Sequence, residues 1–209
     1  YKTTLVEKDS VFYTKDTNKG YSGAVFSLYE VGGQKEEEGT LKDGEKNGLW
    51  TVWWKNGQKW SEGTFRDGKE DGTWTMWYEN GQKRVETTYE FGYADGLWTS
   101  WYSNGQKKKE GTLESIFFNS IRVGLWTEWS ENGQKEQEGT YKNGRKDGVW
   151  TYLDNDGSKY VGKVEREDDE DGTFLGWYFG DAERKVESYV TYKDGKEDGL
   201  KTYWHENGQ

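Results

Sequence analysis

The sequence predicts an all-β protein: an elongated, single-sheet antiparallel meander of tandem β-hairpins about 24 residues long. Three observations carry this. A Gly-x-aromatic triplet recurs as Gly48-Leu49-Trp50, Gly72-Thr73-Trp74, Gly96-Leu97-Trp98, Gly124-Leu125-Trp126, Gly148-Val149-Trp150 and Gly172-Thr173-Phe174, in steps of 24 residues and once 28, and a fixed internal period marks a repeat architecture. Nine residues after most of these glycines comes a turn pair: Asn56-Gly57, Asn80-Gly81, Asn104-Gly105, Asn132-Gly133 and Asp156-Gly157, with Asn207-Gly208 at the end. The flanking runs are rich in Trp, Tyr, Thr and Val, which favour strands.

Taken in order, residues 1–23, with the strand-like "LVEKDSVFYT", are expected to form an N-terminal cap, because a repeat array needs its terminal face covered. Residues 24–209 form the array. Its first member, "VFSLYEVGGQKEEEGTLKDG" (25–44), is a degenerate repeat with Phe26 and Tyr29 in the Trp positions. Each Asn-Gly pair predicts a two-residue type I′ turn, in which both central residues need positive φ. Stretches such as "RDGKEDG" (66–72) then link one hairpin to the next. In that register Trp50 stands opposite Gly63, Trp53 opposite Trp60 and Trp54 opposite Lys59. Gly111 faces Trp98 and Gly139 faces Trp126 in the same way, so an indole is laid across a bare strand position. The second aromatic column, Trp53, Trp77, Trp101, Trp129, Trp177 and Trp204, lies on the other face by the period of two. It is expected to be less buried than the first and to be covered by Trp60, Arg84, Lys108 and Glu136 from across the hairpin. The last repeat is incomplete, since the chain stops at "HENGQ" inside a hairpin.

Composition narrows the function. Only 31% of residues are AVILMFWYC and mean hydropathy is -1.21, so 13 Trp, 15 Tyr and 8 Phe must supply most of the buried area. A formal charge of -10 repels phosphate backbones, which argues against nucleic acid, and also anionic lipid surfaces; a basic protein partner is favoured. No apolar run approaches the ~20 residues that span a bilayer, so direct membrane insertion is not expected. The chain starts at Tyr1 without Met, which is compatible with a cleaved upstream segment and an extracytoplasmic location.

Catalysis has little to work with. There is no Cys, and the single histidine, His205, falls in the incomplete repeat, so a nucleophile with its base is hard to assemble. The acidic runs 165–172 and 154–157 offer oxygen ligands but lack the twelve-residue loop and distant bidentate Glu of a calcium hand, and they read as turns. No cofactor is expected.

The pattern G-x-W-x-x-W/Y-x-x-N-G-Q-x-x-x-E-G-x-Y-x-D/N-G over residues 24–209 resembles the bacterial variant of the MORN repeat, found in proteins labelled YwqK-type antitoxins. Gly48, Trp50, Trp53, Asn56, Gly57, Glu62 and Gly63 match it, and the resemblance implies that such positions build the repeat. It also implies a non-catalytic scaffold for protein–protein interaction. The alternative function is a carbohydrate-binding surface on exposed Trp columns. Departures from the repeat suggest where partners bind. In "LESIFFNSIRVG" (113–124) a four-residue insertion brings Ile116, Phe117, Phe118, Ile121 and Val123 where other repeats have Asp, Lys and Gly. It is either a longer hairpin tucked over a sheet face or a partner-binding protrusion. At the C-terminal end, Tyr203 and Trp204 are expected on an unpaired edge that recruits a further strand.

Overall fold

A computed structural model describes residues 5–8, 11–14 and 19–153, the strands at 159–166 and 172–179, and short strand pieces at 188–189, 192–193, 196–197 and 202–203. The chain divides into two compact units, residues 1–105 with 115–120, and residues 106–114 with 121–209. Every described element is a strand. The first unit holds β1 (Leu5–Lys8), β2 (Val11–Thr14), β3 (Gly23–Leu28), β4 (Lys35–Lys42), β5 (Glu45–Trp53), β6 (Lys59–Arg66), β7 (Lys69–Trp77), β8 (Lys83–Glu90) and β9 (Tyr93–Trp101). Strands β3 to β9 form an open antiparallel meander in chain order, while β1 and β2 pair separately. Phe12 donates its N–H to the Gly44 carbonyl (2.8 Å), and Gly44 donates to Tyr21, so the N-terminal segment is hydrogen-bonded to the β4–β5 turn.

Beyond these come β10 (Lys107–Ile116), β11 (Asn119–Trp129), β12 (Lys135–Lys142), β13 (Arg145–Leu153), β14 (Lys159–Arg166) and β15 (Gly172–Phe179). From β11 to β15, in the second unit, each strand pairs antiparallel with the next. Tandem hairpins in a meander are what the repeat predicts.

The turns are the reverse of expectation. Trp54 donates its N–H to Gln58 O (2.8 Å) and Gly57 donates to Trp54 O (2.9 Å), which leaves a three-residue loop in which Gly57 alone has positive φ (83°). This is a type I turn closed by a glycine bulge. The two-residue turns with both φ positive are instead the links between repeats, Asp43-Gly44 (52°, 89°), Asp67-Gly68 (49°, 75°) and Asn143-Gly144 (51°, 77°).

The longer loop shifts the neighbouring pairs. Trp50 does stand opposite Gly63, but Trp60 is left as a bulge, and Trp53 faces Lys59 rather than Trp60. Trp77 likewise faces Lys83 and Trp129 faces Lys135, in place of Arg84 and Glu136. The degenerate repeat is offset by one residue as well. Val25, not Phe26, stands opposite Gly39, and Tyr29 occupies the position of Trp54: each makes the same N–H bond across its loop. Phe26 therefore points away from the ring column and is 65% exposed. A slip of one residue moves a side chain to the other face. In β15, Trp177 stands opposite Gly162.

The core of each unit is a ring column on one face of the sheet. Trp50, Trp74, Trp126 and Trp150 are buried, whereas Trp53, Trp77, Trp101 and Trp129 on the other face are half-buried. The indole of Trp50 lies over Gly39 on the preceding strand, not over Gly63: a methyl built on Gly39 would come within 2.3 Å of the ring. Gly63 takes Trp74, Gly111 takes Trp126 and Gly139 takes Trp150 in the same manner. Each indole N–H donates to the carbonyl of the Thr after that glycine, at 3.1–3.2 Å. Edge-to-face contacts run Trp50–Phe65–Trp74–Tyr89 in the first unit and Trp126–Tyr141–Trp150 in the second, with centroids 5.0–6.3 Å apart. Such pairs add ~0.5–1.5 kcal/mol beyond the area they bury.

The Gly-x-Trp triplet exists for a different reason. Between β4 and β5 the register jumps from Glu38–Thr51 to Thr40–Asn47, so Gly48, Leu49 and Trp50 together oppose the single residue Gly39. Gly48 has φ of 77° with open space around it, so its backbone conformation, and not lack of room, requires glycine.

Candidate functional site

Where the repeat holds, polar groups are absorbed by its own construction. Thr51 donates to Glu62 (3.0 Å), which also accepts from Lys59 (2.5 Å), while the Lys59 ammonium lies 5.7 Å from the Trp77 ring centroid. Lys35, Lys83 and Lys107 cover Trp53, Trp101 and Trp129 at 5.5–5.7 Å. Charged side chains over this column agree with expectation, but the lysine comes from the preceding hairpin. A third aromatic column escaped the sequence reading: Tyr29 and Tyr78 hydroxyls and the Trp54 indole donate to the carbonyls of Trp53, Trp101 and Trp77, at 2.6, 2.8 and 3.2 Å. Asn56 and Asn80 also reach forward, to the carbonyls of Glu79 and Ser103 at 2.8 and 2.7 Å.

Where the repeat lapses, apolar groups meet solvent. Strands β10 and β11 have 10 and 11 residues against 8 and 9 in β6 and β7, so the insertion lengthens a hairpin and leaves only Phe117 and Phe118 at its tip. Both sit in the left-handed region, with φ of 46° and 65°, and are 94% and 82% exposed. Left-handed backbone costs a non-glycine residue roughly 1–2 kcal/mol. Ile116, Ile121 and Val123 are half-buried instead, and Ile121 lies against the turn at Gly144.

The tip belongs to the first unit. Ser115 donates its N–H to the Asp95 carboxylate (3.1 Å), and Phe118 meets the Tyr93 ring at 5.7 Å. In the adjacent turn Phe91 replaces the usual Asp, with φ of 52° and 62% exposure. Sequence reasoning missed Phe91 and Tyr93, although "EFGYADG" beside "RDGKEDG" carries the signal. Residues 86–97 hold Glu86, Glu90 and Asp95 and no Lys or Arg, and residues 115–120 are uncharged.

The Tyr203 backbone pairs with Ser188, and its side chain is not described; Trp204 and His205 lie outside the described residues, as do 154–157 and 167–171 of the acidic runs. Among the described residues no group of three or more His, Cys, Asp and Glu side chains is placed to hold a metal ion, and no helix is long and apolar enough to cross a membrane.

An array of hairpins whose rings, glycines and turns all serve its own stacking defines a β-hairpin repeat protein. Residues 46–67, 70–90, 94–114 and 122–143 each match the profile of the MORN repeat variant, so the chain carries four such repeats. MORN repeats as a class are non-enzymatic scaffolds for protein or membrane interaction. Comparison with curated proteins gives no match.

Proposed function

We propose that this chain is a non-catalytic scaffold that docks a basic protein partner on the Phe117–Phe118 tip, with Phe91 and Tyr93 beside it. One observation carries the reading: two phenylalanines occupy a turn that three other links build from Asp or Asn with Gly and the adjacent one from Phe91 with Gly92, and there they are both strained and solvated. Strain of this kind clusters at functional sites, and clustered exposed rings are suited to anchor an interface. The formal charge of -10 favours a cationic partner and salt-sensitive association. Neutralisation of a toxin, as the YwqK-type label suggests, is one form this docking takes. A sugar platform on the other face is less favoured, since lysine ammonium groups stand over Trp53, Trp77, Trp101 and Trp129.

Replacing the tip by a turn the backbone prefers tests the reading. Phe117→Asn with Phe118→Gly should raise stability by about 1–2 kcal/mol through relief of left-handed strain, and it should abolish capture of the partner from host extract in parallel with wild type. Retained capture, or a fall in melting temperature together with loss of the partner, would count against docking by these rings.

A further inference from the structure

The strand that ends the sheet in the first unit is unlike the others. Among the described residues β3 pairs with β4 on one side and is the last strand in the sheet order. Its sequence, Gly-Ala-Val-Phe-Ser-Leu, carries no charge, whereas every strand from β4 to β14 has at least one charged residue. Proteins place charge, above all Lys, on edge strands to stop them pairing. Here that protection is missing at the position that needs it.

Backbone and side chains point the same way. Tyr29 turns its N–H across the hairpin to Gln34 (2.9 Å), so Val25 and Ser27 direct their peptide groups to β4 as well. Alternation then sends the N–H and C=O of Ala24, Phe26 and Leu28 to the open edge. The Tyr21 hydroxyl lies 3.5 Å from the Ala24 carbonyl, which keeps a second lone pair. Those same three residues are the exposed ones, Phe26 at 65% and Leu28 at 42%.

We infer that β3 is a dimerisation edge, which pairs antiparallel with β3 of a second copy about a two-fold axis at Phe26. In that register Phe26 meets its own counterpart and Ala24 meets Leu28 of the partner. Each is an edge-facing pair that exchanges both N–H···O bonds, and all the side chains on the shared face are apolar. A second copy is favoured over a charged strand because the two-fold register sets ring on ring and small Ala24 against larger Leu28, and brings no charge to an apolar edge. The edge lies apart from the Phe117–Phe118 tip, so this inference stands independently of partner docking.

Absence of cysteine makes the test clean, because each single-Cys variant of the full chain carries one thiol. Hydrogen-bonded residue pairs across antiparallel strands have Cα atoms ~5.5 Å apart, within disulfide reach. Phe26→Cys should therefore form a disulfide-linked dimer on mild oxidation. Ala24→Cys should not, because it lies four residues, ~13 Å, from its own counterpart; Ala24→Cys with Leu28→Cys should link again. By sedimentation velocity, wild type should be a dimer at micromolar concentration, and Phe26→Lys should associate at least tenfold more weakly with an unchanged circular dichroism spectrum. A monomeric wild type, an open-ended polymer, linkage of Ala24→Cys without Phe26→Cys, or an intact Phe26→Lys dimer would each overturn the inference.

Discussion

Trp50 and Trp98 occupy the same position in two repeats of one unit, yet they are held differently. Trp50 is buried to 3% exposure, lies on Gly39, and has the Lys46 ammonium 4.1 Å above its ring centroid. Trp98 stands opposite Thr87, where the repeat calls for glycine, and position 94, which corresponds to Lys46, is alanine. Over a threonine in place of a bare glycine the ring is only half-buried. The hydroxyls of Thr87 and Ser100 nearby are buried with no partner. In the second unit the full arrangement returns: Arg122 lies 4.6 Å over Trp126 and Lys146 3.9 Å over Trp150. Glycine below, not the tryptophan alone, thus goes with a well-seated ring at Trp50, Trp74, Trp126 and Trp150, and the repeat that lacks it is the one that carries Phe91.

The largest test of this contrast is removal of the ring. Trp50→Ala should cost ~3–5 kcal/mol, as for other large buried aromatics, whereas Trp98→Ala should cost about 1–2 kcal/mol because less is buried; chemical denaturation of both variants would measure the gap, and equal losses would refute it. Next comes the floor itself. Gly39→Ala places a methyl inside the Trp50 ring and should destabilise by about 1–3 kcal/mol as overpacking, with a lower melting temperature as the readout. The converse change, Thr87→Gly, should stabilise by about 1 kcal/mol, since losing a buried unpaired hydroxyl outweighs the flexibility of glycine; a drop in melting temperature would argue that Thr87 is no defect.

The smallest effect concerns protons. Glu128 takes the repeat position that Ser100 holds beside Trp98. Burial alone would raise its carboxyl, but hydrogen bonds from Lys109 (3.0 Å) and Gln137, with the charges of Lys109 and Arg122, bring it below the ordinary carboxylate range. A depressed folded-state pKa stabilises fully above the unfolded value and loses that contribution as pH falls through the folded one. Melting temperature should therefore decline on the acid side of the carboxylate range in wild type and decline less in Glu128→Gln. Lys146 runs oppositely: burial, then the charges of Arg122 and Lys109, lower its pKa against the pull of Glu128, so a cost it imposes eases as pH rises toward the ordinary lysine range.

Repeat period, strand order and the Trp50–Gly63 register were all legible because they rest on spacing. Turn type was not. Asn-Gly suits a two-residue turn with two positive φ angles and a three-residue loop with one, and composition does not tell the two apart. That one residue decides whether Trp53 meets Trp60 or Lys59. In the first repeat, Phe26 looked like the ring-column residue because it is aromatic, while backbone pairing gives the place to Val25. Phe117 and Phe118 were visible as apolar residues in a linker, but their exposure depends on the hairpin growing by equal lengths on both strands.

The forward-reaching asparagines have a chemical consequence. An Asn-Gly sequence ages by deamidation, when the glycine nitrogen attacks the asparagine side-chain carbonyl carbon and ammonia leaves through a succinimide. At Asn56-Gly57 the nucleophile is occupied, since the Gly57 N–H is bonded to Trp54 O, and both ends of the Asn56 amide are held, by Glu79 O and by the Gln58 N–H. Asn132 holds the Gln134 N–H in the same way, and its amide nitrogen donates to the Gln134 side chain (3.2 Å). The hairpins that follow Asn56 and Asn80 thereby hold the labile side chain of the one before, and the order in which such sites age would record how tightly successive hairpins are joined.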